Sequence, residues 1–188
     1  MPDPTRGPPA RQGGGVQIAI RPGRAEDGEV LQEIERQAGE RFREVGLEAV
    51  ADDEPPSLDT LAAYAAAGRS WVAIDADNNT PVGYVLVDVV DGCAHIEQVS
   101  VRPDQQGVGV GRALVDRVRS WADETHRRAV TLTTFTDVPW NRPLYEHLGF
   151  RVMPEHDIGP QLRALRAEEA AHGLDPSTRV CMRLTPDG

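Results

Sequence analysis

The spacing of apolar positions changes several times along the chain, and each change marks an element. Residues 16–21 (VQIAIR) alternate apolar and polar, the period of a half-buried strand. Across residues 25–45, Val30, Leu31, Ile34, Ala38, Phe42 and Val45 recur at spacings of three and four. That spacing predicts an amphipathic helix, interrupted near Gly39 or Gly46. Residues 48–56 are acidic, end in Pro-Pro and read as loop. Ser57 is placed to cap a short helix over residues 58–67, which Gly68 stops. Strands follow over residues 70–75, 82–90 and 94–102, separated by Asp77-Asn78-Asn79 and by Asp91-Gly92. Such turns join antiparallel neighbours, so these strands form a meander. After Pro103 the period lengthens: Val110, Leu114, Val115, Val118 and Trp121 predict a helix running to residue 124. The remaining elements are a β-branched strand (129–135), a short helix (139–148) stopped by Gly149, a strand (150–153), a helix (158–171) capped by Gly173 and a closing strand (179–184). A meander followed by a strand–helix–strand unit predicts an α/β (α+β) fold with a mixed, mostly antiparallel central sheet flanked by helices.

Composition narrows the class. A chain of 188 residues suits one domain, taken here as residues 16–188, and no internal repeat is visible. Residues 1–15 are Pro- and Gly-rich and read as a flexible tail; they lack the apolar core of a secretory signal. No apolar run approaches the roughly 20 residues a membrane helix needs. Cys93 and Cys181 are the only cysteines, and the histidines are scattered, so neither a disulfide framework nor a metal-ligand spacing is expected. These features point to a cytoplasmic protein with reduced thiols and no membrane partner. The net charge of −10 argues against nucleic acid as a partner, because duplex binding needs clustered Lys and Arg. It is compatible with a cationic substrate such as an amine, although acidity also serves plain solubility.

The most informative segment is VSVRPDQQGVGVGRAL, residues 99–114. A strand ends there, and Gln106, Gly107, Gly109 and Gly111 lead directly into an amphipathic helix. The first turn of a helix leaves N–H groups unpaired at the positive end of the macrodipole. Glycines let an anion approach that backbone closely, so a phosphate-bearing ligand is the natural guest. A P-loop is excluded because no Gly-Lys-Ser/Thr follows. The dinucleotide pattern Gly-x-Gly-x-x-Gly fails as well, since its sixth position is Arg112 or Leu114. Gln-x-x-Gly-x-Gly is met by Gln106, Gly109 and Gly111. The bland alternative is a helix start whose loop glycines bind nothing.

That pattern resembles the pyrophosphate-binding signature of the GNAT superfamily of acetyl-CoA-dependent N-acetyltransferases. HIEQVSVRPDQQGVGVGRALV (residues 95–115) looks like the family's fourth strand and third helix, and LYEHLGF (residues 144–150) like its later helix and strand. The resemblance implies the GNAT-like acyl-CoA N-acyltransferase fold, with acetyl-CoA as co-substrate. The pantetheine arm would run along Val99 and Val101 in a gap between two strands. The pyrophosphate would rest on amides of Gln106, Gly107, Val108, Gly109, Val110, Gly111 and Arg112. The Arg112 side chain adds charge there or is a surface residue. The family often carries Asn where this chain has Val138; Asn141 either takes that place or simply turns the chain beside Pro139 and Pro143.

The reaction expected is direct transfer of acetyl to a primary amine of a small molecule or peptide, with no acyl-enzyme. Glu97 is the candidate general base, acting through water, and by alternation shares a face with Val99 and Val101; otherwise it is a strand Glu in a cross-strand pair. Tyr145 is the candidate general acid and a further cofactor contact, or else a packing aromatic. The Val99 N–H is the implied oxyanion donor. Cys93 has no role beyond packing. Glu35, Arg41, Phe42, Asp137 and Trp140 are candidates for the acceptor pocket. Similar proteins are commonly homodimers. Two other readings stay open: a GNAT-like module that senses acyl-CoA without turnover, and a nucleotide-binding oxidoreductase. The presence of Glu97 and Tyr145 favours the enzyme over the sensor.

Overall fold

The computed structural model describes residues 17–185. The tail expected over residues 1–15, together with Val16, lies outside this span. One sheet runs in the order β1-β2-β3-β4-β5-β7-β6. Its strands are β1 (Ile18–Pro22), β2 (Ser70–Asp75), β3 (Thr80–Val90), β4 (Cys93–Val101), β5 (Val130–Phe135), β6 (Arg151–Val152) and β7 (Arg179–Leu184). Neighbours are antiparallel except β4 and β5, which run parallel. The sheet is therefore mixed and mostly antiparallel, as the sequence predicts. The parallel step follows from α4 (Val110–Glu124), which carries the chain back from the end of β4 to the start of β5. The β3–β4 turn is tight because Asp91 and Gly92 both hold positive φ, 50° and 76°.

Helices cover both faces. On one, α4 buries Val110, Leu114, Val115, Val118 and Ala122 against Val85, Val87, Ala94, Ile96, Val130 and Leu132. Each valine, leucine or isoleucine among them contributes roughly 1.5–3 kcal/mol when fully buried. Leu148 and Phe150, which follow α5 (Arg142–His147), complete that core. On the opposite face, α1 (Gly28–Gly39) and α3 (Leu58–Ala66) bury Leu31, Ile34 and Leu61 against Val72, Tyr84 and Leu86. Ser57 caps α3 as expected, its hydroxyl accepting the Thr60 N–H at 3.1 Å. Farther along the α1 face lies α6 (Pro160–Ala171), which with Ile158 and Leu162 covers Val90 and Cys181. Its first amides are capped across the fold. The Asp91 carboxylate accepts from Gln161 N–H at 3.0 Å and Leu162 N–H at 2.9 Å.

Two local expectations change. The helix predicted over 25–45 is α1 flanked by 3-10 turns, the second of which (Glu40–Val45) ends at Gly46 with φ 74°. The segment read as loop contains a one-turn helix, α2 (Glu48–Ala51).

Candidate active site

β4 ends at Val101, and a 3-10 turn (Pro103–Gln105) leads into the glycines. Gly107 and Gly109 hold φ of 78° and 95°, a region that costs residues with a Cβ roughly 1–2 kcal/mol. Gly109 is the N-cap of α4, and Ala113 makes the first helical bond, to the Gly109 C=O at 3.0 Å. Among the described residues, the amides of residues 107–112 donate to no backbone carbonyl. A Cβ built on Gly107, Gly109 or Gly111 would meet nothing within 4 Å. A run of free donors thus lines an open surface at the positive end of a helix. Gln106 departs from its expected part. Its own N–H turns inward to the Pro103 C=O at 3.4 Å, so the free amides begin at Gly107. Its side chain instead donates to the Val101 C=O at 3.3 Å. The Val110 side chain is core, leaving only its amide available, whereas Val108 and Arg112 are exposed.

Beside this turn the sheet opens. β4 and β5 pair only through Ala94–Val130, His95–Thr131 and Ile96–Leu132. On the other side of β4 the register shifts, with Leu86 opposite Gln98 but Val87 opposite Ile96, which leaves Glu97 as the extra residue of a β-bulge. The bulge resets the alternation. Val99 and Val101 pack with Ala94 and Ile96 on the α4 face. Glu97 instead interacts with Asp88, Tyr64 and Glu169 on the α1 face. The expectation that Glu97 shares a face with the two valines is therefore corrected. The Arg102 N–H donates to the Val82 C=O at 2.9 Å, so by antiparallel alternation Ser100 and Gln98 are the next residues bonded to β3. The backbone groups of Val99 and Val101 consequently point into the gap, where they offer a free strand edge.

Glu97 and Tyr145 flank that gap. The Glu97 side chain keeps exposed surface, yet protein crowds its carboxyl group. Its pKa is raised above the ordinary carboxylate range, first by burial and then by the charges of Asp88 and Glu169, with Arg179 opposing. The Tyr145 ring meets Phe150 edge-on at 5.7 Å, and burial pushes its phenol up to about 12, again with Arg179 opposing. One guanidinium thus acts on both groups. Arg179 is held by Glu169 at 2.7 Å and by the Thr133 hydroxyl at 2.8 Å, and lies 4.7 Å over the Phe135 ring. Asn141 occupies the N-cap position of α5 without a side-chain cap bond, and its C=O accepts the Tyr145 N–H at 3.2 Å.

The expected acceptor residues gather above the gap. Phe42 lies 5.8 Å from Phe135 and 6.0 Å from Trp140, ring centre to ring centre. Arg41 stacks over Trp140 at 3.9 Å and donates to the Gln106 side chain at 2.9 Å. The turn after α1 therefore bridges the loop after β5 and the glycine turn. Glu35 sits deeper and accepts a hydrogen bond from the Tyr84 hydroxyl. Burial, then the Asp53 charge, raise its pKa from 4.5 to about 7, with Arg36 opposing.

A sequence model of the acetyltransferase (GNAT) family matches residues 30–150, more than half of the 188-residue chain. The chain belongs to the GNAT acetyltransferase family. Its sheet has the GNAT fold, and solved structures agree. The PaiA N-acetyltransferase of Thermoplasma acidophilum, crystallised with coenzyme A, superposes with a TM-score of 0.69 at 16% identity, covering 90% of this chain and 99% of that one. The ribosomal-protein-S18-alanine N-acetyltransferase of Escherichia coli gives 0.62 at 18% identity, covering 92% and 96%. The N-acetylglutamate synthase of Neisseria gonorrhoeae, complexed with coenzyme A and N-acetyl-glutamate, gives 0.65 at 14% identity, covering 92% of this chain and 36% of that one. Among the described residues no helix is long and apolar enough to cross a membrane.

Within this GNAT framework, several residues that frame the gap lie outside the expected set. The bulge at Glu97 has no glycine or proline to announce it. Arg179, Glu169 and Thr133 come from β7, α6 and β5, and an arginine at the head of the closing strand is the only sequence signal among them. His95, fully buried, meets the Thr131 hydroxyl at 3.0 Å, and burial lowers its pKa to about 4, so it stays neutral.

Proposed function

We propose that this protein transfers the acetyl group of acetyl-CoA directly to a primary amine of a small molecule or peptide. The observation that carries this reading is the run of unbonded amides over residues 107–112 beside an open strand edge. Those donors and the empty space over Gly107, Gly109 and Gly111 fit a diphosphate. The backbone groups of Val99 and Val101 fit the amide-bearing pantetheine arm, as an added strand would. Acetyl-CoA supplies the activated thioester. The Val99 N–H donates to the oxygen that gains charge as the amine attacks. Glu97, on the acceptor side of the sheet, receives a proton from the amine through water; its raised pKa suits that role near neutral pH. Tyr145, on the other side of the gap, is protonated at neutral pH and serves as the general acid by hydrogen-bonding the leaving thiolate. It gives up its proton fully only as charge builds on sulfur, because burial makes its phenol a weak acid. Cys93 is a poor nucleophile, because burial raises its thiol pKa, and direct transfer does not need it.

The test is thiol release from acetyl-CoA across a broad panel of amines, alongside thermal stabilisation by CoA. Thiol release dependent on both substrates supports transfer. Stabilisation by CoA with no thiol release across the panel would instead favour a sensor of acyl-CoA, and stabilisation by NAD alone an oxidoreductase.

A further inference from the structure

The acceptor side of the gap carries a cavity of about 150 Å3, lined by Val45, Leu47, Phe135, Asp137, Val138 and Thr178. Its walls come from separate segments: the turn after α1, the loop after β5 and the turn before β7. The last two are braced together by the Thr136 N–H donating to the Thr178 C=O at 2.7 Å. Carbon dominates the lining, and Val45 at its rim is 38% exposed, an apolar side chain left in water. The pocket opens to solvent, and its mostly apolar walls are of a size to take a benzene-sized group.

Its position relates it to the reacting centre. Ile96 and Leu132 form the last β4–β5 pair. Glu97 lies one residue beyond Ile96 and Phe135 three beyond Leu132, so at ~3.3 Å per residue the cavity begins roughly 7 Å farther along the sheet than Glu97. Both lie on the α1 face, and Arg179 links them: its guanidinium covers the Phe135 ring and its charge acts on Glu97. Charge sorts what can enter. Asp137 stands at the cavity, and Asp88 and Glu97 lie beyond it. Arg179 is held by Glu169, and Arg41 by Trp140 and Gln106. An ammonium is favoured on this path over a carboxylate, and of the lining residues Asp137 alone could pair a second ammonium, the other walls being mostly apolar.

We propose that this cavity is the subsite that selects the acceptor. The substrate is a primary amine with one apolar group of phenyl or branched-alkyl size, separated from the nitrogen by a short carbon linker. The proposal rests on the acetyl-transfer reading. Thiol release from acetyl-CoA is measured with ethylamine, isopentylamine, phenethylamine, naphthylethylamine and diaminobutane. Isopentylamine and phenethylamine are expected to exceed ethylamine and diaminobutane in kcat/KM by about tenfold or more, the scale on which a matched apolar pocket discriminates. Naphthylethylamine, too large for the cavity, falls back. Val45→Trp, a change at an exposed position, lowers the ratio of phenethylamine to ethylamine kcat/KM by about tenfold. Thiol release that favours diaminobutane or is indifferent across the series, or a ratio unmoved by Val45→Trp, overturns the subsite and leaves acetyl transfer standing. Acetyl-CoA binding without thiol release from any amine defeats the transfer reading and the subsite with it.

Discussion

Replacing Gly111 with Ala separates the fold's requirements from the ligand's. Gly111 lies in the first turn of α4, outside the glycines with positive φ, and a Cβ there would meet nothing within 4 Å. In a helix, Gly is less favourable than Ala by roughly 0.5–1 kcal/mol. Gly111→Ala should therefore stabilise the ligand-free protein by that amount, which for a chain of this length raises Tm by about 1–4 °C. The same methyl group enters the space over the free amides. Acetyl-CoA affinity should fall about tenfold or more, some 1.4 kcal/mol. Thermal unfolding without ligand and calorimetric titration of acetyl-CoA read the two effects separately, and they carry opposite signs. Gly109→Ala provides the contrast: at φ 95° it adds strain of roughly 1–2 kcal/mol and should lose stability as well as affinity. Wild-type affinity in Gly111→Ala would mean that the diphosphate lies elsewhere. A lower Tm in ligand-free Gly111→Ala would mean that the methyl group meets atoms where open space is described.

Other outcomes follow from the titrating groups. If Glu97 is the base, as proposed, it acts deprotonated, and with its pKa raised the wild-type rate should climb with pH through a range above the usual carboxylate values. Glu97→Gln should lower kcat on the order of a hundredfold and abolish that limb of the profile, and a retained limb assigns the base to another group. Tyr145→Phe should cut kcat by about a hundredfold while the Kd for acetyl-CoA stays within about twofold; unchanged turnover removes the phenol from the mechanism. The Glu35 pKa rises from 4.5 unfolded to about 7 folded, so the stability it contributes is fully present below pH 4.5 and is lost as pH rises through 7. Glu35→Gln should flatten this slope, a difference of about 2–3 kcal/mol by pH 8, as read by urea unfolding at a series of pH values. An unchanged slope would contradict the burial of that carboxyl group.

Much of the architecture was legible from local chemistry. The Asp91-Gly92 turn, the Ser57 cap and the period of α4 each obey rules that act within a few residues. The glycine turn was legible for the same reason: its open backbone is dictated by residues adjacent in sequence. Glu97 shows where such reading stops. Strict alternation assigns it to the face of Val99 and Val101, but the bulge opposite Leu86 and Val87 depends on how β4 meets β3, which no residue of β4 reveals by itself. The same bulge turns the backbone of Val99 and Val101 toward the gap, so one misplaced residue in the register decides both the base and the strand edge. Arg179 was hidden for another reason. Its partners Glu169 and Thr133 converge only after α6 is laid across the α1 face, where the distant Asp91 cap and the packing of Leu162 on Val90 and Cys181 hold it. Asn141 opens α5 one turn before Tyr145, and its side chain does not cap the helix.

The central claim is that the main-chain amides at the start of α4 bind a diphosphate. The most direct measurement follows the amide resonances of Gly107, Gly109 and Gly111 by proton–nitrogen NMR during titration with acetyl-CoA and, in parallel, with acetyl-pantetheine, which lacks the diphosphate. Saturable downfield shifts of these glycines with acetyl-CoA, and not with acetyl-pantetheine, are the predicted result. Unmoved glycine resonances in protein saturated with acetyl-CoA would contradict the account.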